Sequence, residues 1–491
     1  MNDVPEVRIT KANHRDINPN GDFILYWMTV FRRSHWNFSL QRTVEWAQSL
    51  KKPILVLEAL NCDYPWASER FHRFLLDGMA DNLSYFQSHR ISYYPYVEPA
   101  KDAGKGLLIS LSEKACVIVT DDFPCFFIPQ MVKSVAANVS ILMESVDSNG
   151  MLPLKAADRL FLTAYSFRRF LHKNLPDHLT QMPAREPLKE INLPPLKHPP
   201  ESVFKSWPLA SHNILATGSR SLSDLKIGHD VKPVTKGGPL TGRKILNSFL
   251  KDRLTRYAQR RNMPEENATS TLSPYIHFGH ISVHEIFHKV MNTEGWFFDR
   301  LSERATGSKR GWWGVGESAE AFLDQLITWR ELGFNMCRHR DDYDKYESLP
   351  EWAVETLRFH EMDKRDYIYT VEQFENGLTH DPLWNAAQIQ LVREGTIHNY
   401  LRMLWGKKIL EWSPNPRIAL EIMIELNNKY ALDGRDPNSY TGILWILGRY
   451  DRPWAPERPV FGKIRYMSSK NTARKVRVVD YIKKYAPKKI A

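Results

Sequence analysis

Cysteine is scarce in this chain, and the four residues present, Cys62, Cys116, Cys125 and Cys337, stand far apart with no CxxC pair. That spacing excludes a disulfide framework and a thiolate zinc site, and it points to a reducing compartment. Long apolar runs are lacking too. None approaches the roughly 18–20 residues needed to span a bilayer, and no signal-peptide run opens the chain. No GxGxxG follows a strand and no GxxxxGK[ST] occurs, so a dinucleotide or P-loop site in the N-terminal half has no support. Internal repeats are absent. The expectation is a soluble intracellular protein with no metal and no membrane partner, cytoplasmic in a bacterium and nuclear or organellar in a eukaryote.

What the chain has in excess is positive charge and aromatic rings. Its net charge is +11, and fifteen of its 491 residues are tryptophan. A basic balance favours a polyanion such as nucleic acid. Residues 463–489 alone carry ten Lys/Arg against one acid, Asp480. A solvated, partly disordered end and a source of positive potential for a polyanion both fit that tail. Indole is costly to bury without a partner for its N–H, so this many tryptophans favour stacking on rings as well as packing.

A chain of this length holds two or three domains. Residues 1–20 are polar and read as irregular. Apolar runs at 23–30 (FILYWMTV), 53–60, 91–97, 115–120 and 139–144 read as buried strands. Helical patterns between them, above all at 68–89, predict a doubly wound parallel-sheet domain, Rossmann-like, over residues 20–155. Residues 156–241 form an interdomain linker with a Pro-rich, extended segment at 183–202. From 242 to 485 the strand signal disappears and an all-helical domain is expected. A TDDFP stretch at 120–124 falls at a strand end, where such sheets bind ligands; aspartates capping a following helix are the plainer reading.

Three groups of residues in the helical half could carry chemistry. Thr269, Ser270, Thr271 and Ser273 crowd hydroxyls and backbone N–H groups into a turn before a helix expected near Ser282, an arrangement that suits phosphate oxygens or a simple capping turn. Gln325 and Trp329 lie one helical turn apart on one face, as an amide and an indole beside a heterocycle or as a surface Gln over a core Trp. The third group runs from Thr379 to Trp454 and holds Trp384, Trp405, Trp412, Trp445 and Trp454 around Arg402, Asn427, Asp433, Arg435 and Asp436. Trp405 and Trp412 are seven residues apart and share a helical face. Aromatic packing with satisfied polar groups fits this set, and so does a bound redox cofactor reached by an indole relay.

The blocks LSPYIHFG (272–279), THDPLWN (379–385), KKILEW (407–412), LDGRDPN (432–438) and GKIRYM (462–467) together resemble the class II cyclobutane-pyrimidine-dimer photolyases of the photolyase/cryptochrome flavoprotein family. The resemblance is strong from about residue 240 to 485 and weaker from 22 to 155. It implies FAD held in the helical domain, with Tyr257 and the turn Thr269, Ser270, Thr271, Leu272 and Ser273 at the pyrophosphate. It implies Arg402 and Asp433 as an ion pair against the isoalloxazine, Arg435 in the same setting, and Asn427 beside flavin N5. Trp412, Trp384 and Trp405 match an electron relay from surface to flavin, with Tyr369 as an auxiliary donor. Arg261, Gln325, Trp329, Met403, Trp445, Arg452 and Trp454 match a cavity for a dimer flipped out of damaged DNA. A monomer is expected, with room for a second, antenna chromophore of unidentified kind.

The chain departs from the class II pattern in four places. Gln325 stands where class II enzymes carry Glu. The stretch from Trp445 to Arg452 is one residue short and lacks a second Gly and a His. Leu404 replaces a Tyr, and Cys125 to Phe127 lack the polar and basic residues expected after the TDxxP-like loop. The resemblance therefore implies light-driven dimer repair first. A cryptochrome-like blue-light sensor is the alternative that Gln325 and the shortened loop raise, and repair of the (6-4) photoproduct is one that Gln325 alone raises.

Overall fold

The apolar run at the start of the chain becomes the central strand of a six-stranded sheet. In the computed structural model, which describes residues 3–197, 200–216, 222 and 225–486, the strands are β1 (Ile9–Lys11), β2 (Phe23–Met28), β3 (Ile54–Leu60), β4 (Ser92–Val97), β5 (Ala115–Asp121) and β6 (Met143–Val146), in the order β1-β6-β5-β2-β3-β4. Every residue of β2 is buried. Phe23, Leu25 and Trp27 join one apolar layer, and Ile24, Tyr26 and Met28 the other. This is the period-two division of a sheet covered on both faces. Helices α1 (Phe38–Leu50), α2 (Glu69–Ser88), α3 (Leu107–Ser112) and α4 (Ile128–Asn138) supply the connections.

Strands β2 to β6 pair in parallel, but β1 pairs with β6 antiparallel. The opening segment is thus not irregular throughout. Its short polar strand Ile-Thr-Lys carries no apolar pattern and exists because β6 offers an edge. The last strand begins at Met143, later than the apolar pattern suggests.

Strand order reverses between β2 and β5, and Asp121 sits at that reversal. Its carboxylate does not cap the next helix, whose N-cap is Phe127 with no side-chain hydrogen bond. Instead it accepts from the Tyr26 hydroxyl at 2.9 Å and from the backbone N–H groups of Thr29, Val30 and Phe31 at 2.9, 2.7 and 2.9 Å. Asp121 closes the loop after β2 from within a fully buried position. Asp121→Ala would leave these donors without an acceptor. We expect it to cost about 3–5 kcal/mol, since each unsatisfied buried donor costs about 1–3 kcal/mol. Urea unfolding of the two proteins measures this, and a loss below about 1 kcal/mol would mean water replaces the carboxylate.

Two units divide the chain, one comprising Met1–Asp158, Lys173–Asn247 and Leu272–Thr293, the other Arg159–His172, Ser248–Thr271 and Glu294–Ala491. The first holds the sheet. The Pro-rich segment lies in it, with Leu188 buried in one of the layers beside the sheet. The second is helical, and its core gathers Trp384, Trp405 and Trp412 with the apolar faces of the surrounding helices. As far as it is described, the basic tail includes the helices Ser469–Lys475 and Val479–Lys484. Tyr481 and Tyr485 are buried, and the backbone N–H groups of Asp480 and Tyr481 donate to Glu265 Oε1 at 2.7 and 3.2 Å. Residues 487–491, which include two of the tail's basic residues, lie outside the described ones. No helix among the described residues is long and apolar enough to cross a membrane, and none of their His, Cys, Asp and Glu groups could hold a metal ion.

Candidate functional site

Three helices of the second unit begin with the same local device, an Asx residue followed by proline. Asp381 caps Pro382–Glu394 by accepting from the N–H groups of Leu383 and Trp384, both at 3.0 Å. Asn415 caps Pro416–Tyr430 through Ile418 N–H at 2.9 Å, and Asp436 caps Pro437–Ile446 through Asn438 N–H at 2.9 Å. The side-chain oxygen satisfies a free donor, and proline fits the first helical position because no N–H is needed there. These caps set where Trp384, Asn427 and Trp445 fall on their helices. The helix Asn399–Trp412 carries Arg402, Met403, Trp405 and Trp412. At Gly406 it touches the Pro437–Ile446 helix so closely that an added Cβ would meet Ile446 Cδ1 at 1.9 Å.

Arg402, Asn427 and Asp433 come together as the sequence resemblance implies. Arg402 Nη1 donates to Asn427 Oδ1 at 2.8 Å, and its Nη2 lies 3.2 Å from Asp433 Oδ1. Asn427 is buried, and its Nδ2 donates to Ser439 Oγ at 2.7 Å and to Asn428 Oδ1 at 3.3 Å. Both amide N–H groups are therefore engaged, and what Asn427 has to spare is acceptor capacity on Oδ1. The Arg402 and Asp433 side chains keep 13% and 19% of their exposure, so they face space that protein atoms do not fill. Arg435, in the left-handed region at φ 61°, turns inward instead and donates from Nη1 to the Asn428 carbonyl at 2.5 Å. Its contacts hold the turn between the two helices.

The tryptophans form a connected set. Trp384 and Trp405 are 0% and 1% exposed. Trp384 Nε1 donates to the carbonyl of Trp405 at 2.9 Å, and Trp405 Nε1 donates to Gln388 Oε1 at 2.8 Å. The Trp384 and Trp412 rings stand edge-to-face with centroids 6.0 Å apart. Tyr369 continues the row, 5.7 Å from Trp412. The indole N–H groups of Trp384 and Trp405 each have a partner within the row or its flank, which removes the usual penalty for burying them.

Trp445 and Trp454 are half-buried and linked through Arg465, whose guanidinium lies 5.2 Å from the first ring and 4.2 Å from the second. Arg452 covers Trp454 at 4.8 Å. Asp451 forms an ion pair with Arg465 at 3.1 Å and accepts from Trp454 Nε1 at 3.2 Å. The shortened loop is folded inward, with Arg449 and Tyr450 buried and Gly448 and Tyr450 at φ 109° and 63°. Beneath Trp445, Lys407 is fully buried, donates to the Ile446 carbonyl at 2.5 Å and stands 5.2 Å from the indole. Burial pushes its ammonium down to about 7, opposed by Asp451 and reinforced by Arg465.

Gln325 and Trp329 do share a helical stretch, but it is a π-helical segment, Asp324–Trp329, between the α-helices Glu317–Leu323 and Arg330–His339. Such single-turn widenings concentrate at functional sites. Both side chains are half-buried, as is Met403. Arg261 lies over the buried Tyr257 ring at 5.5 Å. In the hydroxyl turn, Thr271 has φ 57°, a conformation that costs a β-branched residue about 1–3 kcal/mol. The Arg253 guanidinium donates to Thr269 O at 2.9 Å. A short helix, Ser273–His277, comes between this turn and the helix Val283–Thr293 that was expected near Ser282, and Leu272 and Ser273 fall in the first unit.

Lys407, Asp451, Arg465, Gln388 and Ser439 were not singled out from sequence. Lys407 and Arg465 lie inside the KKILEW and GKIRYM blocks, a signal that could have found them. The others have no local signature, since each acts on a residue brought to it by the fold.

No protein-family model matches the chain. It is 35% identical over 477 residues to a deoxyribodipyrimidine photo-lyase of Methanothermobacter thermautotrophicus, covering 97% of each chain. It is 34% identical to one of Potorous tridactylus, over 94% of this chain and 81% of that one. The fold is similar to the crystal structure of a bacterial class III photolyase from Agrobacterium tumefaciens, with a TM-score of 0.67 and 17% identity over 95% of this chain and 87% of the other.

Proposed function

This chain belongs to the deoxyribodipyrimidine photolyase family, and on that premise we propose that it is a lyase that splits cyclobutane pyrimidine dimers in DNA with light, as a class II enzyme acting as a monomer. The observation that carries the reading is the joining of two sets in one helical unit. One is the Arg402–Asn427–Asp433 network, and the other the connected row Trp405, Trp384 and Trp412. Relatives of nearly full length bear the photolyase name, which favours repair over a sensor.

The donor set fits FAD. A cation and a carboxylate facing unfilled space, with a buried amide bonded to the cation, suit a flat heterocycle with several hydrogen-bonding edges. Arg402, Asp433 and Asn427 would hold the isoalloxazine, with Asn427 Oδ1 accepting from a ring N–H. Tyr257 and the strained turn at Thr269, Ser270 and Thr271 would hold phosphate oxygens. Bound reduced FAD supplies the light absorption and the electron that opens the dimer ring. A second, light-gathering chromophore would belong to the first unit. A cavity of about 210 Å³ there is lined by His35, Trp36, Arg185, Arg243, Glu285, His288, Lys289 and Asn292, with Glu285 paired to Arg243 and Lys289, and offers an indole beside mixed polar groups.

The chain's own residues do the rest. Photolyases are among the enzymes that extrude a target nucleotide, at a cost of a few kcal/mol that is smaller for a poorly stacked lesion. Trp445 and Trp454 would stack on the flipped bases, each ring already steadied by cations. Arg261 and Arg452 would hold flanking phosphates. Trp329 and Met403 would line the cavity, and Gln325 would donate an amide N–H to a dimer carbonyl. Gln325 holds that carbonyl as developing charge builds on it but has no acidic proton to give.

Blue-light assays on UV-irradiated oligothymidylate test this. Dimers should disappear only in the light and only with reduced protein; photoreduction without dimer loss would sink the proposal. In the same assay Gln325→Glu should raise the yield by less than about tenfold, because one improved hydrogen bond is worth about 1 kcal/mol. An unchanged yield would mean that Gln325 does not limit repair.

A further inference from the structure

The row of indoles does not end at Trp412. Tyr369 meets it edge-to-face at 5.7 Å, and His380 meets the same indole at 4.9 Å. The phenol of Tyr369 and His380 are joined twice. The backbone N–H of His380 donates to the phenol oxygen at 3.1 Å, and the phenol oxygen lies 2.7 Å from His380 Nδ1. A backbone N–H can only donate, so it takes a lone pair of the phenol oxygen. With the imidazole hydrogen on Nε2, the phenol's own proton is directed at Nδ1 as its acceptor. His380 is exposed, and its ring stacks on exposed Tyr367 at 3.8 Å with planes 20° apart.

A phenol that loses an electron becomes a strong acid, so its oxidation beside an indole is favourable only where a base receives the proton at once. We infer that His380 is that base, the proton acceptor that makes Tyr369 the terminal electron donor of the tryptophan row. The inference rests on the proposed light-driven reduction of a bound flavin. The oxidant is the photoexcited oxidised flavin, which draws one electron through the row and leaves Trp412 as a radical cation. Tyr369 gives one electron to Trp412 and restores it, while the phenol O–H breaks and its proton forms an N–H bond at His380 Nδ1. The products are a neutral tyrosyl radical and an imidazolium. The single positive charge has moved from the indole to His380, and the exposed imidazolium returns its proton to water. Back transfer to the tyrosyl then requires the proton as well, which prolongs the charge-separated state.

The test uses two ways of generating the radical. In the flavin-loaded protein a laser flash starts the reaction from the flavin. In the same protein kept in the dark state, a photogenerated ruthenium(III) tris-bipyridine oxidant starts it from solution. Transient absorption reads tyrosyl against tryptophanyl radical, in light and heavy water, with Tyr369→Phe as the baseline for the chain's other tyrosines. Expected are a Tyr369 tyrosyl signal that forms more slowly in heavy water, and its loss to the baseline in His380→Phe, with a tryptophanyl signal in its place after flavin excitation. His380→Phe keeps a ring to stack on Tyr367. His380→Gln, which can accept a hydrogen bond but is not a base, should behave alike and covers the case that the first variant does not fold. A wild-type tyrosyl yield in either variant, or no tyrosyl in the wild type by either route, overturns the inference. A tyrosyl formed by the ruthenium oxidant but not by flavin excitation would keep the role of His380 and refute the link from the row to the flavin.

Discussion

Trp384→Phe should abolish the reduction of the bound flavin by light while leaving dimer cleavage intact once the flavin has been reduced chemically. Phenylalanine keeps an aromatic ring in the core but cannot be oxidised at a potential an indole reaches. Trp384 is the middle member of the row. Its N–H ends on the carbonyl of Trp405, and its ring faces Trp412 at 6.0 Å. The lost hydrogen bond costs about 1 kcal/mol, and the smaller ring leaves a void in a buried site, so a modest drop in stability is expected with the fold retained. Two measurements separate electron supply from repair, photoreduction followed by visible absorption under blue light, and dimer cleavage after reduction by dithionite. Photoreduction of the variant at the wild-type rate would remove Trp384 from the relay. Loss of both activities would mean that the substitution damages the flavin site itself.

The second large effect belongs to Arg402. Arg402→Ala removes the cation from a half-buried pair and leaves Asp433 and Asn427 Oδ1 without their shared partner. Truncating one member of a hydrogen-bonded charge pair costs about 2–5 kcal/mol, so flavin affinity should fall by roughly thirtyfold or more, and the protein should purify largely colourless. Lys, which keeps the charge but not the two-pronged geometry, should recover only part of the affinity. Flavin content by visible absorption and titration with added FAD measure both variants. A fully loaded, tightly binding Arg402→Ala protein would place the flavin elsewhere.

Much of this protein could be read from the chain because the governing forces are local. The Asx–Pro pairs at Asp381, Asn415 and Asp436 start helices through a hydrogen bond that spans two or three residues, so the sequence determines them alone. The run FILYWM is apolar at every position, which only a strand covered on both faces tolerates. Strands and helices alternating over residues 20–155 imply a parallel sheet, and the shared blocks from LSPYIHFG to GKIRYM carry the resemblance that led to Arg402, Asn427, Asp433 and the tryptophans.

Tertiary structure decided what depends on partners far away along the chain. Strand β1 has three residues and no apolar pattern, and only the edge of β6 makes it a strand. Asp121 looked like a helix cap because its neighbours do not reveal that the backbone of residues 29–31 will converge on it. Gln325 and Trp329 lie in one helical stretch, yet its wider turn is a π-helical segment that spacing does not announce. Arg465 reaches two tryptophans eleven and twenty residues before it, and Tyr369 finds His380 only because a turn folds back between them. From sequence alone, then, come the composition of this chain, the Asx–Pro starts of three helices and its family blocks, since these rest on near neighbours. Which indole donates to which carbonyl, and which imidazole meets which phenol, was settled by packing, since those contacts join segments whose meeting no local preference encodes.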